Sequence, residues 1–208
     1  MKNKMEVSMG RIGIVGGTFN PVHIGHLMLA EYALTENALD QVWLMPTGCS
    51  YMKRDSGILP GKERLHMVEL AIKGNEKLRC LDLEVKREGY TYSYETLQQL
   101  KSLYPEHHFY FIFGADCLFS IENWKCPEEI FHNCTVIAAA RNGSSLKEME
   151  AKIRDLTQKY EADIIPMPFL DLPISSTMIR ERIAKDKSCR YMVPDAVLNY
   201  INEKQFYH

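Results

Sequence analysis

The sequence lacks an excess of either charge and has no long apolar run, and each absence excludes a class of protein. Its 25 basic and 27 acidic residues are interspersed and leave a formal net charge of −2, so no basic surface for nucleic acid is expected. No apolar stretch is long enough to span a membrane, and the N-terminal residues lack the apolar core of a signal peptide. The sequence therefore predicts a soluble, cytoplasmic protein that binds neither nucleic acid nor a membrane.

Three familiar binding motifs are also missing. The six cysteines form no C-x-x-C pair, which favours free thiols in the core over disulfides or zinc ligands. No G-x-x-x-x-G-K-[ST] run occurs, so a P-loop is excluded. Gly13, Gly16 and Gly17 do not have the G-x-G-x-x-G spacing of a dinucleotide site. The second predicted strand, Gln41–Met45, also lacks the acidic residue that would bind a ribose. Any nucleotide must therefore be bound by other residues.

Short apolar segments that are typical of strands alternate with segments of helical periodicity. The predicted strands are Arg11–Val15, Gln41–Met45, Arg79–Leu83, His108–Phe113, Thr135–Ala139 and Asp163–Ile165. The predicted helices are Ile24–Glu36, Lys62–Lys73, Ser93–Leu103, Ser145–Lys159, Ser175–Ala184 and Pro194–Ile201. This alternation indicates an α/β fold with a doubly wound, mostly parallel sheet and helices on both faces, whose ligands bind at the carboxyl ends of the strands.

The length of 208 residues suits one domain that covers residues 1–208. Residues 1–9 are expected to be a loose extension, and residues 174–208 a helical segment at the C-terminal end of the same domain. The segment from Pro46 to Gly61 is long for a loop in a compact domain, which is typical of a functional lid.

The most informative segment is GGTFNPVHIGH, from Gly16 to His26. It follows the strand Arg11–Val15, and its two glycines allow a tight turn and a close approach of a ligand to the backbone. A helix is predicted to begin near His23, whose side chain would share one face of the first turn with that of His26. Because free amide groups and a partial positive charge at a helix N-terminus attract anions, this segment predicts a phosphate site with two imidazoles.

Four segments in order resemble the His-x-Gly-His nucleotidyltransferase superfamily, and more closely its bacterial nicotinate-nucleotide adenylyltransferases. They are GGTFNPVHIGH, FIFGADCLFSIENW (Phe111–Trp124), ISSTMIR (Ile174–Arg180) and RYMVPDAVLNYI (Arg190–Ile201). The resemblance implies a Rossmann-like nucleotidyltransferase fold. It also implies an enzyme of NAD biosynthesis that transfers the adenylyl group of ATP to nicotinate mononucleotide, with nicotinate adenine dinucleotide and pyrophosphate as products.

The site residues that this resemblance implies fall into three groups. The catalytic group is His23, His26 and Arg180, with His26 at the α-phosphate and His23 at the β- and γ-phosphates. ATP would be bound by Gly16, Gly17, Thr18, Phe19, His23, His26, Gly114, Asp116, Ile174, Ser175, Ser176, Thr177 and Arg180. The mononucleotide would be bound by Lys53, Tyr92, Ser93 and Trp124. Mg²⁺ would arrive with ATP and keep mainly phosphate and water ligands, so no metal-binding residue of the protein is proposed.

One segment departs from the family pattern. The family usually has P-x-G-x-P-P-H-K after the second strand, whereas this chain has PTGCSYMK, which keeps Pro46, Gly48 and Lys53. The change removes one imidazole from the expected phosphate site of the mononucleotide.

The proposed site residues also have ordinary structural alternatives. A histidine pair is often structural, Asp116 can be a helix cap, and Trp124 can be a core side chain. Ser175–Thr177 with Arg180 can be a capped helix with a solvated arginine.

Other functions stay open from the sequence alone. The chain can be another His-x-Gly-His nucleotidyltransferase, with nicotinamide mononucleotide or phosphopantetheine as the acceptor, or a nucleotide-binding regulator without catalysis. A homo-oligomer is compatible with the sequence.

Overall fold

A computed structural model describes residues 9–50, 57–141, 144–170 and 172–208. Its strands are β1 (Arg11–Gly17), β2 (Gln41–Pro46), β3 (Cys49–Ser50), β4 (Leu78–Cys80), β5 (Tyr90–Thr91), β6 (His108–Gly114), β7 (Thr135–Arg141) and β8 (Ile164–Phe169). Its helices are α1 (Ile24–Glu36), α2 (Gly61–Ile72), α3 (Ser93–Leu103), α4 (Ala115–Ser120), α5 (Pro127–Asn133), α6 (Ser144–Tyr160), α7 (Ser176–Ile183) and α8 (Asp195–Lys204). A 3-10 turn lies at Ile121–Asn123.

Six strands form one sheet in the order β4-β2-β1-β6-β7-β8, and all neighbouring strands are parallel. The strands β3 and β5 form a separate parallel pair. The strand order reverses between β1 and β6, because the chain first adds strands on one side of β1 and later on the other. In such sheets a crevice opens at the carboxyl ends of the two central strands, where ligands bind. The predicted doubly wound sheet is confirmed.

Helices cover both faces of the sheet, as predicted. Buried side chains of α1, α2, α7 and α8 form one core cluster, and those of α3, α4, α5 and α6 form the other. Along β1 the side chains alternate, so that Ile14 belongs to one cluster and Val15 to the other. A Cβ atom at Gly13 would come within 2.7 Å of a methyl group of Ile112, so close packing requires glycine at this position.

All six predicted strands are present, with corrections at their ends. The strand predicted at Arg79–Leu83 is Leu78–Cys80, because the chain turns at residues 82–87. The strand predicted at Asp163–Ile165 runs to Phe169 and includes Pro166 and Pro168. Two prolines are compatible with a strand here because β8 is an edge strand, and residues two apart direct their backbone nitrogens to the same, unpaired side.

Sequence reasoning missed several short elements. They are the strands β3 and β5, the helices α4 and α5, and the 3-10 turn. Each contains seven residues or fewer, which is too short for the hydrophobic period to become apparent. Residues 1–8 of the predicted N-terminal extension and residues 51–56, the middle of the predicted lid, lie outside the described part of the chain, so both features stay predictions.

The six cysteines are free thiols in the structure. None of the helices in the described residues combines the length and the apolar character that crossing a membrane requires.

Candidate active site

The turn between β1 and α1 brings the two predicted histidines to the centre of the sheet. Phe19 adopts a left-handed backbone conformation with φ of +48°, and its ring is buried beneath the turn. A Cβ atom at Gly17 would lie 2.9 Å from that ring, so this glycine lets the aromatic side chain pack against the backbone. His23 caps the N-terminus of α1, which begins at Ile24 as predicted.

The imidazoles of His23 and His26 form a stacked pair. Their ring centroids are 3.6 Å apart with an angle of 26° between the planes, and the ring of Phe19 contacts His26 edge-on at 4.9 Å. The backbone N–H of His23 donates a hydrogen bond to Nδ1 of His26 over 3.2 Å. Because Nδ1 is the acceptor, a neutral His26 carries its proton on Nε2, which is then a hydrogen-bond donor.

His23 is held in its neutral form. Its side chain is buried, and burial lowers its pKa from 6.5 to about 4. Its Nδ1 atom is buried without a hydrogen-bond partner in the described part of the chain. A Cβ atom at residue 25 would lie 3.1 Å from this nitrogen, so Gly25 leaves room for the ring of His23. This packing gives a physical reason for the glycine between the two histidines.

The pKa of His23 makes stability depend on pH. Because the unfolded chain binds a proton at His23 more readily than the native protein, the free energy of unfolding should fall as the pH drops from about 6.5 to about 4. The full loss is roughly 3 kcal/mol. Urea unfolding at pH 7 and pH 4.5 gives the free energy of unfolding at each pH, and its decrease between them should be larger for the wild type than for His23→Gln. His66→Gln, at an exposed histidine of α2, is the control and should show the same decrease as the wild type. The same decrease in all three proteins would contradict this assignment.

The helix α7 supplies the other side of the site. Ser175 is its N-cap, and its hydroxyl accepts the backbone N–H of Met178 over 3.2 Å. The hydroxyl of Ser176 donates to the carbonyl of Pro21 over 2.8 Å. The guanidinium of Arg180 donates through Nη1 to the carbonyl of Asn20 over 2.9 Å. The bonds of Ser176 and Arg180 attach α7 to the loop that precedes α1.

A cavity of about 790 Å³ lies between these two helix N-termini. Its predicted lining residues are Gly17, Thr18, Phe19, His23, His26, Gly114, Ile174, Ser175, Ser176, Thr177 and Arg180. No acidic side chain occurs among the described residues that line it. Two helix N-termini, two imidazoles and a guanidinium around one space of this size are suited to a nucleotide with several phosphates.

A second cavity of about 400 Å³ adjoins the first and shares Gly17 and Thr18 with it. Besides these two, four more predicted site residues line this smaller cavity, namely Gly16, Tyr92, Ser93 and Trp124. The ring of Trp124 lies beside those of Phe111 and Phe113, and its buried indole N–H has no hydrogen-bond partner in the described residues. A flat apolar wall with one available donor is suited to an aromatic ring that carries a polar substituent.

Charged residues of this smaller cavity were not predicted. Glu84 is buried and accepts a hydrogen bond from the hydroxyl of Thr96 over 2.9 Å. The ammonium of Lys125 lies 4.3 Å above the ring of Tyr92. Lys125 is the one cationic side chain among the described residues that line the smaller cavity. The cation–π contact holds its charge at the cavity.

One predicted residue, Asp116, is not brought to either cavity, and another, Lys53, is not described. Asp116 is exposed in the first turn of α4 and is absent from both sets of described lining residues. Its expected contact with ribose hydroxyls therefore stays a prediction. Lys53 lies outside the described residues, as do Tyr51 and Met52, two of the three positions that depart from the family pattern.

Sequence reasoning missed Arg64, a buried arginine that supports the wall between the cavities. Its three donor nitrogens reach the carbonyls of Leu59 at 2.9 Å, Thr18 at 2.7 Å and Thr47 at 2.7 Å. Burial lowers its pKa, and these three acceptors compensate for lost hydration. A signal was present, because Arg64 lies in the buried stripe of α2 with Met67 and Val68.

Comparison with known proteins agrees with this geometry. The cytidylyltransferase-like family model matches residues 14–182. A probable nicotinate-nucleotide adenylyltransferase of Lachnoclostridium phytofermentans is 39% identical over 199 residues, which cover 96% of this chain and 100% of the relative. One of Oceanobacillus iheyensis is 38% identical and covers 96% and 97%. The chain belongs to the nicotinate-nucleotide adenylyltransferase family.

Solved structures show that this family member has the fold of other adenylyltransferases. A Plasmodium falciparum nicotinic acid mononucleotide adenylyltransferase complexed with NaAD aligns with a TM-score of 0.78 at 21% identity, over 95% of this chain and 97% of that chain. The same protein complexed with APC aligns with a TM-score of 0.74, also at 21% identity and the same coverage. The predicted Rossmann-like nucleotidyltransferase fold is thus confirmed.

Proposed function

We propose that this nicotinate-nucleotide adenylyltransferase family member transfers the adenylyl group of ATP to nicotinate mononucleotide. A phosphate oxygen of the mononucleotide forms a bond to the α-phosphorus of ATP, the bond to pyrophosphate breaks, and nicotinate adenine dinucleotide results. The observation that carries the proposal is the pair of cavities that meet at Gly17 and Thr18, one lined by anion-binding groups and the other by aromatic rings. The names of the full-length relatives support it.

The reaction needs no general base from the protein. A phosphate monoester has a second pKa of about 6, so the acceptor is already a dianion at neutral pH. The protein must instead align two anions and stabilise the charge that develops on the α-phosphate and on pyrophosphate. We assign Nε2–H of His26 to the α-phosphate. His23 and Arg180, with the amide groups at the N-termini of α1 and α7, bind the β- and γ-phosphates.

Mg²⁺ is proposed to enter with ATP. The ion would keep phosphate oxygens of ATP and water as its ligands, so no residue of the protein is proposed to hold it. When bound, Mg²⁺ offsets the negative charge of the pyrophosphate that leaves.

The acceptor is proposed to occupy the smaller cavity. Its pyridine ring would lie against Trp124, with Tyr92 and Ser93 beside it, and its phosphate would be directed toward the shared wall at Gly17 and Thr18. Lys53 is proposed to add a positive charge near that phosphate. A cytoplasmic setting, the absence of a nucleic-acid partner and a homo-oligomeric state stay predictions from the sequence.

Release of pyrophosphate from ATP tests the function directly. The assay is run with nicotinate mononucleotide, nicotinamide mononucleotide and phosphopantetheine in turn, and the dinucleotide product is identified by mass. We expect the fastest release with nicotinate mononucleotide. Release only with phosphopantetheine would indicate a different member of the superfamily. ATP binding without release for any acceptor would indicate a regulator.

Arg180 should contribute mainly to the binding of ATP and pyrophosphate. Arg180→Ala removes a guanidinium at the larger cavity, so KM for ATP and for pyrophosphate in the reverse reaction should rise about tenfold, with KM for the mononucleotide nearly unchanged. Arg182→Ala is the matched control, because Arg182 lies on the same helix and donates to the carbonyl of Ser188 away from the cavity. Equal ATP kinetics in both variants would show that Arg180 does not bind the phosphates of ATP.

A further inference from the structure

The loop Thr18–Asn20 between β1 and α1 is held by contacts from distant parts of the chain. Arg64 of α2 donates to the carbonyl of Thr18 over 2.7 Å, and Arg180 of α7 donates to the carbonyl of Asn20 over 2.9 Å. The intervening Phe19 has a positive φ, a conformation that a bulky residue keeps only when its surroundings impose it. The position of this loop therefore depends on its partners.

The side chain of Asn20 is the central partner in this arrangement. Asn20 is only 2% exposed, and its Nδ2 donates to the carbonyl of Gly57 over 3.0 Å. Its Oδ1 accepts two hydrogen bonds, one from the backbone N–H of Leu59 at 3.2 Å and one from the hydroxyl of Tyr207 at 2.8 Å. An amide oxygen has two lone pairs, and the hydrogen bonds from Leu59 and Tyr207 use both of them.

Tyr207 reaches this position because the chain bends sharply after α8. Gln205 and Tyr207 both have left-handed backbone conformations, with φ of +54° and +67°. The aromatic rings of Phe206 and Tyr207 pack against the core cluster beside α1 and α2, which holds the bend. Burial raises the pKa of Tyr207, so its hydroxyl keeps the proton that it donates to Asn20.

We infer that the C-terminal segment Phe206–Tyr207 positions the loop Thr18–Asn20 at the larger cavity, with Tyr207 acting through Asn20. Tyr207 is absent from the described lining of both cavities, so it is a positioning residue and not a catalytic one. The inference rests on the proposed function for its kinetic readout. Phosphate-binding groups must be held within about half an ångström of their working positions. Loss of the hydroxyl leaves a lone pair of a buried amide unpaired and releases the loop from the C-terminal segment.

Tyr207→Phe tests the inference because it removes the hydroxyl and keeps the ring. We expect KM for ATP to rise roughly two- to tenfold, the contribution of one hydrogen bond, with KM for the mononucleotide unchanged. Tyr200→Phe is the matched control, because it removes a hydroxyl of α8 that donates to Glu63 over 2.5 Å, away from the loop. It should leave both KM values unchanged. Calorimetric binding of a non-hydrolysable ATP analogue should show the same weakening in Tyr207→Phe without any turnover.

A double-mutant cycle separates positioning from general stabilisation. If Tyr207 acts through Asn20, Tyr207→Phe should cause no further loss of ATP-analogue affinity in an Asn20→Ala background. A lower melting temperature with unchanged KM and analogue affinity in Tyr207→Phe would overturn the inference, as would full additivity in the cycle. A wild-type protein that binds the analogue but forms no dinucleotide would instead count against the proposed function, and the analogue measurements would still test the positioning role.

Discussion

Replacing His26 with alanine should lower kcat by on the order of a hundredfold or more, with a much smaller change in KM for ATP. The reason is that Nε2–H of His26 is assigned to charge that develops on the α-phosphate only in the transition state. In the variant, ATP in the ground state would still be bound by Arg180 and by the amide groups at the two helix N-termini. Steady-state kinetics with ATP varied at saturating nicotinate mononucleotide measures both parameters.

His23→Ala should have a similar effect for two reasons. It removes the assigned contact with the β- and γ-phosphates, and it removes the ring that stacks on His26 at 3.6 Å. The double variant should therefore be little worse than the poorer single variant, because the two imidazoles act as a unit. His66→Ala serves as the control at an exposed histidine outside both cavities. Near-normal kcat in both His23→Ala and His26→Ala would refute the catalytic assignment.

The second large effect concerns the choice of acceptor, where we expect nicotinate mononucleotide to exceed nicotinamide mononucleotide about ten- to a hundredfold in kcat/KM. A carboxylate accepts charge-assisted hydrogen bonds, which are about twice as strong as neutral ones. The amide would direct its NH₂ group at the same donors and leave one unpaired, which costs about 1–3 kcal/mol. Equal efficiencies, or a preference for the amide, would refute the pocket proposed around Tyr92, Ser93 and Trp124.

Lys125→Met provides a test of the charge in this pocket. The variant keeps an aliphatic side chain above Tyr92 and removes the cation. The ratio of kcat/KM for nicotinate mononucleotide to kcat/KM for nicotinamide mononucleotide should therefore fall, mainly because KM for nicotinate mononucleotide rises. An equal loss with both acceptors would indicate that Lys125 contacts the phosphate that they share. Lys159→Met is the control, because its ammonium also lies over a tyrosine ring, that of Tyr160, and Lys159 is absent from the described lining of the smaller cavity.

Local patterns in the sequence were sufficient to predict the central elements and the placement of the two histidines at the N-terminus of α1, where they line the larger cavity. The apolar strand, the paired glycines and the two histidines at helical spacing lie within sixteen consecutive residues, so their geometry follows from the turn itself. Ser175 as an N-cap is likewise a local signal, and the structure has α7 begin directly after it. Such features depend on backbone hydrogen bonding within one or two turns.

The residues that sequence reasoning missed are connected through contacts that are distant along the chain. Tyr207 meets Asn20 across 187 positions, and Arg64 meets Thr18 across 46. No local pattern distinguishes a tyrosine near a C-terminus that is buried against a loop from one that is solvated. Asp116 is the opposite case, because its position after a strand suggested a contact with the nucleotide, and the structure leaves its side chain exposed in α4 and outside the described lining of both cavities.

The prolines of β8 affect how copies of this protein can meet. An exposed strand edge invites pairing with another chain, which leads to aggregation or to sheets that continue across two molecules. Pro166 and Pro168 leave the outer edge of β8 without two of its amide donors. At the opposite edge, β4 has only three residues. Both edges of the sheet thus discourage intermolecular β pairing, so an oligomer of this chain should assemble through helices or loops.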